Sequence, residues 1–242
     1  MTTAAIIILL LACLGGSFIQ RVTGFGFGIF AMTMLPFLMP SYAEASTLSS
    51  SMAMMTSIYV MIKMWKHIQW KKLIIVLLMF LLVSFFCIRQ VANIDSHHLR
   101  KVLGVILIFV SLYFIFINGK IKVKPTVPVQ AGLGTLSGVM GGFFSMQGPP
   151  VVLYFLACTQ TKEQYVALAQ TFFALGNIVM TCFRATQGFV TGTVCKAWLI
   201  AFPMIVLGNW IGGKVFDKLS ISLLSNIIYV FIGVSGVIAL IF

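Results

Sequence analysis

Thr23-Gly24-Phe25-Gly26-Phe27-Gly28 is the stretch on which the fold turns. Alternate glycines make no continuous helix face, and they interrupt an apolar run that otherwise continues from Ala4 to Met39. The second half of the chain carries a counterpart, Gly141-Gly142-Phe143-Phe144-Ser145-Met146-Gln147-Gly148-Pro149-Pro150. Leu35-Pro36-Phe37-Leu38 follows the first break, and Leu153-Tyr154-Phe155-Leu156 follows the second. Pro149 and Pro150 suit the first turn of a helix, where a missing N–H costs nothing.

The surroundings of both breaks are membrane-like. Of 242 residues, 60% are apolar and 8% are charged, against about 25% charged in soluble domains. Mean hydropathy is +1.09. The net charge of +12 comes from having four acids rather than from a basic arm, which excludes a nucleic-acid-binding or disordered chain. Spans of roughly 17–25 apolar residues are read at Ala4–Ile19, Ala43–Ile62, Leu73–Ile88, Leu99–Ile117, Val129–Phe144, Tyr165–Phe183, Ala197–Phe216 and Ser222–Phe242. Two shorter segments, Phe25–Met39 and Val151–Cys158, are bracketed by Gly or Pro. The first run has no basic leader and no cleavage site, so it reads as a span rather than a signal peptide.

The expected fold is therefore an all-α polytopic membrane protein of 8–10 membrane segments, built from two homologous halves. Residues 1–119 form the first, 120–128 a basic connector, and 129–242 the second. The acids match between halves: Glu44 and Glu163 open the third helix of each, and Asp95 and Asp217 precede the last. If each short segment returns the chain across the membrane, the halves are inverted repeats, as in many secondary transporters. If not, eight spans in parallel repeats remain.

Charge placement sets the orientation. One face collects Arg21, Lys63, Lys66, Lys71, Lys72, Lys120, Lys122, Lys124, Lys162, Lys214 and Lys218; the other holds only Arg89, Arg100, Lys101, Arg184 and Lys196. Positive residues favour the inner side, which puts both termini outside.

Irregular backbone at membrane depth survives only where it is buried or lines a polar cavity, so paired breaks point to a transport site. The candidate substrate-binding residues are Gly24, Phe25, Gly26, Phe27, Gly28, Ser145, Gln147, Gly148 and Pro149, with Gln170 and Asn177 from the span beside them. The helix beginning at Gly148 offers free N–H groups and about half a positive charge to an anion. Arg21 and Arg184 are candidates for attracting an anion, or else interfacial anchors. Ser46, Thr47, Ser49, Ser50, Ser51 and Thr56, with Thr171 and Thr181, either hydrogen-bond between helices or line a path. Gly134, Gly138 and Gly142, and likewise Gly208 and Gly212, read as packing ridges. The spacing of Gly24–Gly28 falls short of a dinucleotide loop and has no βαβ context.

No cofactor, metal or nucleic acid is expected. The five cysteines lack metal or redox spacing, and the Met52–Met64 methionines read as core or lipid-facing rather than copper ligands. Nor is an enzyme expected, since no catalytic motif is present.

Gly24-Phe25-Gly26-Phe27-Gly28 followed by Leu35-Pro36, together with Gly141-Gly142-Phe143-Phe144-Ser145 and then Gly148-Pro149-Pro150, resembles the TauE/SafE sulfite exporter family across essentially the whole chain. Phe25, Phe27 and the Ser145-Met146-Gln147 insertion depart from the Gly-Ile-Gly-Gly-Gly of many members. The resemblance implies transport of small sulfur-containing anions, such as sulfite or organosulfonates, across a bacterial plasma (inner) membrane. Export of an anion from a negative interior needs no coupling ion, because the potential supplies roughly 2.3 kcal/mol per charge per 100 mV. The alternatives are uptake of a small organic carboxylate, or a membrane assembly factor that transports nothing. The expected partners are the small anion and the lipid bilayer, with a homo-oligomer left open.

Overall fold

The computed structural model describes residues 2–116, 124–215, 233–234 and 236–241. The connector residues 117–123, Asp217 and most of the expected Ser222–Phe242 span lie outside the described residues.

All described secondary structure is helical. In chain order the helices are α1 (Thr3–Thr23), α2 (Phe27–Ala31), α3 (Leu35–Leu38), α4 (Tyr42–Met64), α5 (Trp70–Val91), α6 (Ser96–Phe116), α7 (Val127–Phe144), α8 (Gly148–Cys158), α9 (Lys162–Thr186) and α10 (Gly192–Val215). By length and hydropathy, α1, α5, α9 and α10 can each cross a membrane. The Phe25–Met39 segment is broken twice, giving the short α2 and α3, with Pro36 in the first turn of α3. The α8 helix has 11 residues, about 16 Å, half the thickness of a bilayer core.

Polar and apolar residues are sorted with polar groups inside. Ser46, Thr47, Ser49, Ser50, Ser51, Thr56 and Ser57 of α4 are all buried. Leu78, Leu82 and Phe86 of α5, Phe109 of α6, and Leu199, Val206 and Trp210 of α10 are exposed, as lipid-facing side chains are. Most of the α4 hydroxyls donate to their own helix: Thr47 to the Ala43 carbonyl at 2.7 Å, Ser51 to Leu48 at 2.9 Å, Thr56 to Ala53 at 2.7 Å. Back-bonding of this kind removes the need for a partner helix, so the expected helix-to-helix hydroxyl bonding is largely replaced by bonding within one helix.

The helices pack in a symmetric pattern. The central pair is α4 against α9; the flanking pairs are α5 with α7 and α1 with α10. Exchanging α1 for α7, α4 for α9 and α5 for α10 turns one flanking pair into the other. The same exchange relates the α5–α9 contact to the α4–α10 contact. This is the pattern of an internal repeat.

Both flanking seams are closed by the expected glycine ridges. A β-carbon at Gly138 would stand 2.9 Å from the Phe80 carbonyl oxygen, and one at Gly134 would stand 2.7 Å from that of Val76. On the other seam, a β-carbon at Gly208 would overlap Ser17 and lie 2.5 Å from the Leu14 carbonyl. The glycines thus sit on α7 in one seam and on α10 in the other, and each lets two backbones approach closely.

Contacts between elements fix which ends adjoin. At one end of the bundle, the Thr191 hydroxyl before α10 donates to Glu44 in the first turn of α4 at 2.5 Å. At the same end, the Tyr42 N–H meets the Ser96 hydroxyl at 3.4 Å. At the other, Lys72 Nζ donates to the Cys158 carbonyl at 2.6 Å, covering the last turn of α8. Outside the bundle, the His97 N–H donates to Asp95 at the start of α6, and this bond holds that carboxyl below its usual range.

Candidate functional site

Each break is built by a left-handed residue at a helix end. Gly24 takes φ 87° and closes α1 with an N–H to the Gln20 carbonyl at 2.9 Å; Gly26 takes φ 105° and opens α2. Only glycine adopts such angles without a steric cost. In the second break that position is Ser145, at φ 55° the one non-glycine residue with positive φ among the described residues. Its N–H bonds to the Gly141 carbonyl at 2.9 Å, and the Met146 N–H bonds to that of Met140 at 3.2 Å. That is the hydrogen-bond pattern of a helix closed by a left-handed residue.

The serine side chain explains why glycine is not required there. Ser145 Oγ donates to the Ser46 carbonyl of α4 at 2.8 Å and accepts from Arg184 at 3.3 Å. Those bonds offset the backbone cost.

The two breaks interlock. A β-carbon on Gly28 would overlap the main-chain oxygen of Ser145, and one on Gly148 would lie 3.1 Å from the Phe25 ring. Between them lies a cavity of about 20 Å³, room for about one water molecule. Its wall includes Gln20, Gly26, Gly28, Ser145, Gln147, Gly148 and Asn177. At this volume the cavity is too small for an anion of several atoms.

Helix α9 reads both breaks along one stripe. Gln170 Nε2 donates to the Gly24 carbonyl at 2.7 Å, Asn177 Oδ1 accepts from Gln147 Nε2 at 2.9 Å, and Arg184 closes the end of α7. A seven-residue step returns to nearly the same helix face, so the stripe runs about 21 Å. Gln170, Asn177 and Gln147 are buried.

Arg184 is completely buried, so the interfacial-anchor alternative does not hold. Its guanidinium donates to the Gly142 carbonyl at 2.9 Å, to that of Gly141 at 3.2 Å, to Ser145 Oγ, and to the Ser46 hydroxyl. Among the described residues no carboxylate lies within ion-pair distance of it. Its charge is met instead by the carbonyl end of α7, which carries about half a negative charge. Lys72 covers the carbonyl end of α8 in the same way. At the second break itself the carbonyl end of α7 is therefore occupied by a cation, while the amide end of α8 faces the cavity; the carbonyl end that Lys72 covers is the far end of α8, about 16 Å away. The balance is electropositive.

Several candidates lie elsewhere. The Arg21 stem packs along α10, where a β-carbon at Gly212 would stand 2.8 Å from it. Phe25 is core, packed toward Gly148, and Pro149 serves the first turn of α8. Gln20 was not among the candidates, yet it lines the cavity and donates to Ser57 Oγ at 2.6 Å. An amide one turn ahead of Gly24 in an apolar helix was its available signal. Ser46 was not singled out among the α4 hydroxyls either, and nothing in the run distinguishes it. Among the described residues, no cluster of His, Cys, Asp and Glu could hold a metal ion.

Residues 8–239 match the family model described as sulfite exporter TauE/SafE. A curated relative from Cupriavidus necator, named as a probable sulfite/organosulfonate exporter TauE, is 25% identical over 209 residues. That alignment covers 82% of this chain and 79% of the relative. No solved structure matches the chain. With nearly its whole length inside the family model, and two interlocked helix breaks at its centre, this chain belongs to the TauE/SafE family of membrane transporters.

Proposed function

We propose that this chain exports a small sulfur-containing anion, sulfite or an organosulfonate, across a bacterial plasma membrane through the site between the two breaks. The observation that carries the reading is the electrostatic sorting at the second break: Arg184 covers the carbonyl end of α7, and the amide end of α8 faces the cavity. Such an arrangement favours an anion at the α8 terminus. The substrate class follows the name carried by the Cupriavidus necator relative. Gly24, Gly26, Gly28, Ser145, Gln147, Gly148, Gln170 and Asn177 shape the site, and Arg184 supplies its fixed charge.

The same reading takes residues 1–119 and 129–242 as inverted repeats, with both termini outside. Supporting the inversion, α5 meets α7 in parallel and α1 meets α10 in parallel, as the residue pairs Val76–Gly134 and Ser84–Gly142, and Leu14–Gly208 and Phe18–Gly212, indicate. Arg184, near the end of α9, reaches Ser46, near the start of α4, so that central pair runs antiparallel. Alternating access then moves one half against the other around the breaks.

Proteoliposomes loaded with sulfite should release it faster when an inside-negative potential is imposed, and empty vesicles should show no such dependence. Release that ignores the potential would overturn electrophoretic export.

A further inference from the structure

Two buried amides face the cavity with their hydrogen bonding half complete. Gln147 Nε2 donates to Asn177 Oδ1, which leaves Gln147 Oε1 and Asn177 Nδ2 with no partner. Gln147 is 4% exposed and Asn177 1%, so bulk solvent does not reach them, and the small cavity they line is where the missing bonds can be completed. The conclusion does not depend on which amide atom is nitrogen. Exchanging oxygen and nitrogen on both side chains still leaves one unpaired donor and one unpaired acceptor.

Both amides share the cavity with the amide end of α8. No ionisable side chain lines that cavity, so no charged protein group there pairs with the free acceptor. A bare oxyanion satisfies the free donor and the α8 terminus but sets its own lone pairs against the free carbonyl oxygen. A buried acceptor left unpaired costs about 1–3 kcal/mol, and a site built to bond an O–H or N–H discriminates strongly against analogues without one.

We infer that the site selects a small monoanion that also carries an O–H or N–H donor, such as hydrogensulfite, sulfamate or a hydroxy-substituted sulfonate, over bare oxyanions of the same size. The anionic oxygens lie at the α8 terminus and the free amide N–H, and the donor reaches the free amide oxygen. This rests on the anion-export reading and names the substrate class for it.

Sulfamate and methanesulfonate test the inference directly, because they are monoanions of nearly the same shape and only sulfamate carries N–H groups. Each is titrated against the purified full-length chain, with half-saturation read from thermal stabilisation, and each is used to compete with sulfite release from proteoliposomes. Sulfamate should bind at least about tenfold more tightly. In the double variant Gln147→Met/Asn177→Leu, which removes both amides and so leaves no free amide acceptor, the ratio should fall to within about twofold; Gln147→Met/Asn177→Ala serves the same purpose if that variant does not reach the membrane. Equal affinities in the wild type overturn the inference while sulfite release continues to support export. Failure of sulfamate to bind while sulfite is released overturns it as well, and so does a ratio preserved in the variants. Absence of any sulfite release removes the export reading beneath it.

Discussion

Gly28 of α2 rests on the main-chain oxygen of Ser145 with no room for a β-carbon. The added atom would meet backbone rather than the movable end of a side chain, so α2 or the second break has to shift. Gly28→Ala should lower sulfite flux at least about tenfold and lower stability by about 1–3 kcal/mol. Gly132→Ala is the control: nothing lies within 4 Å of that position, and alanine in a helix gains about 0.5–1 kcal/mol over glycine. Reconstituted flux and thermal midpoints in detergent decide the matter; a fully active Gly28→Ala protein would contradict the interlock.

Ser145 combines a backbone cost with two side-chain bonds, and the two can be separated. Ser145→Ala loses the bonds to the Ser46 carbonyl and from Arg184 but keeps the left-handed angle. Ser145→Gly loses the same bonds and relieves the angle, which is worth about 1–2 kcal/mol. The glycine variant should therefore be the more stable of the two, with both below wild type. The reverse order in thermal denaturation would show that the angle carries no strain.

Removing the charge at position 184 leaves the last carbonyls of α7 and two serines without their donor. Arg184→Met should cost about 3 kcal/mol or more, given about 1.5–3 kcal/mol for a hydrogen bond to a charged group. Arg184→Lys should recover only part of that, because one ammonium cannot reproduce the fork of the guanidinium. Equal stability of the lysine variant and the wild type would argue against the observed set of bonds.

The two glycine seams should respond alike to bulk. Gly138→Leu drives a side chain into the Phe80 carbonyl and Val83, and Gly208→Leu drives one into Ser17 and Leu14. Both should sharply lower the yield of folded protein. Gly192→Ala, at a position with nothing within 4 Å, should leave it unchanged. Yields measured by size-exclusion chromatography test this, and a seam that tolerates leucine is not closely packed.

The helical, membrane-spanning architecture was legible because apolar runs and Gly/Pro interruptions are local signals. The start of α8 at Gly148 followed from Pro149 and Pro150 for the same reason. Which residues meet across the breaks was not local information. Gln170, Asn177 and Arg184 stand at equal seven-residue intervals, yet Arg184 reads as the end of an apolar span until α7 is seen to stop beside it. The role of Ser46 depends on which hydroxyl of a serine-rich helix faces α9, and that is set by tertiary packing. The double break between α2 and α3 was hidden as well, since Ile29–Leu35 is uniformly apolar apart from Thr33.

The seven-residue stripe on α9 has a mechanical consequence. Gln170 grips the first break and Arg184 the second, with Asn177 holding Gln147 between them. A turn of α9 about its own axis would carry all three grips the same way at once, so neither break can be unlatched by that motion while the other stays fastened. For rotation of α9, the two breaks behave as one joint with a single shaft.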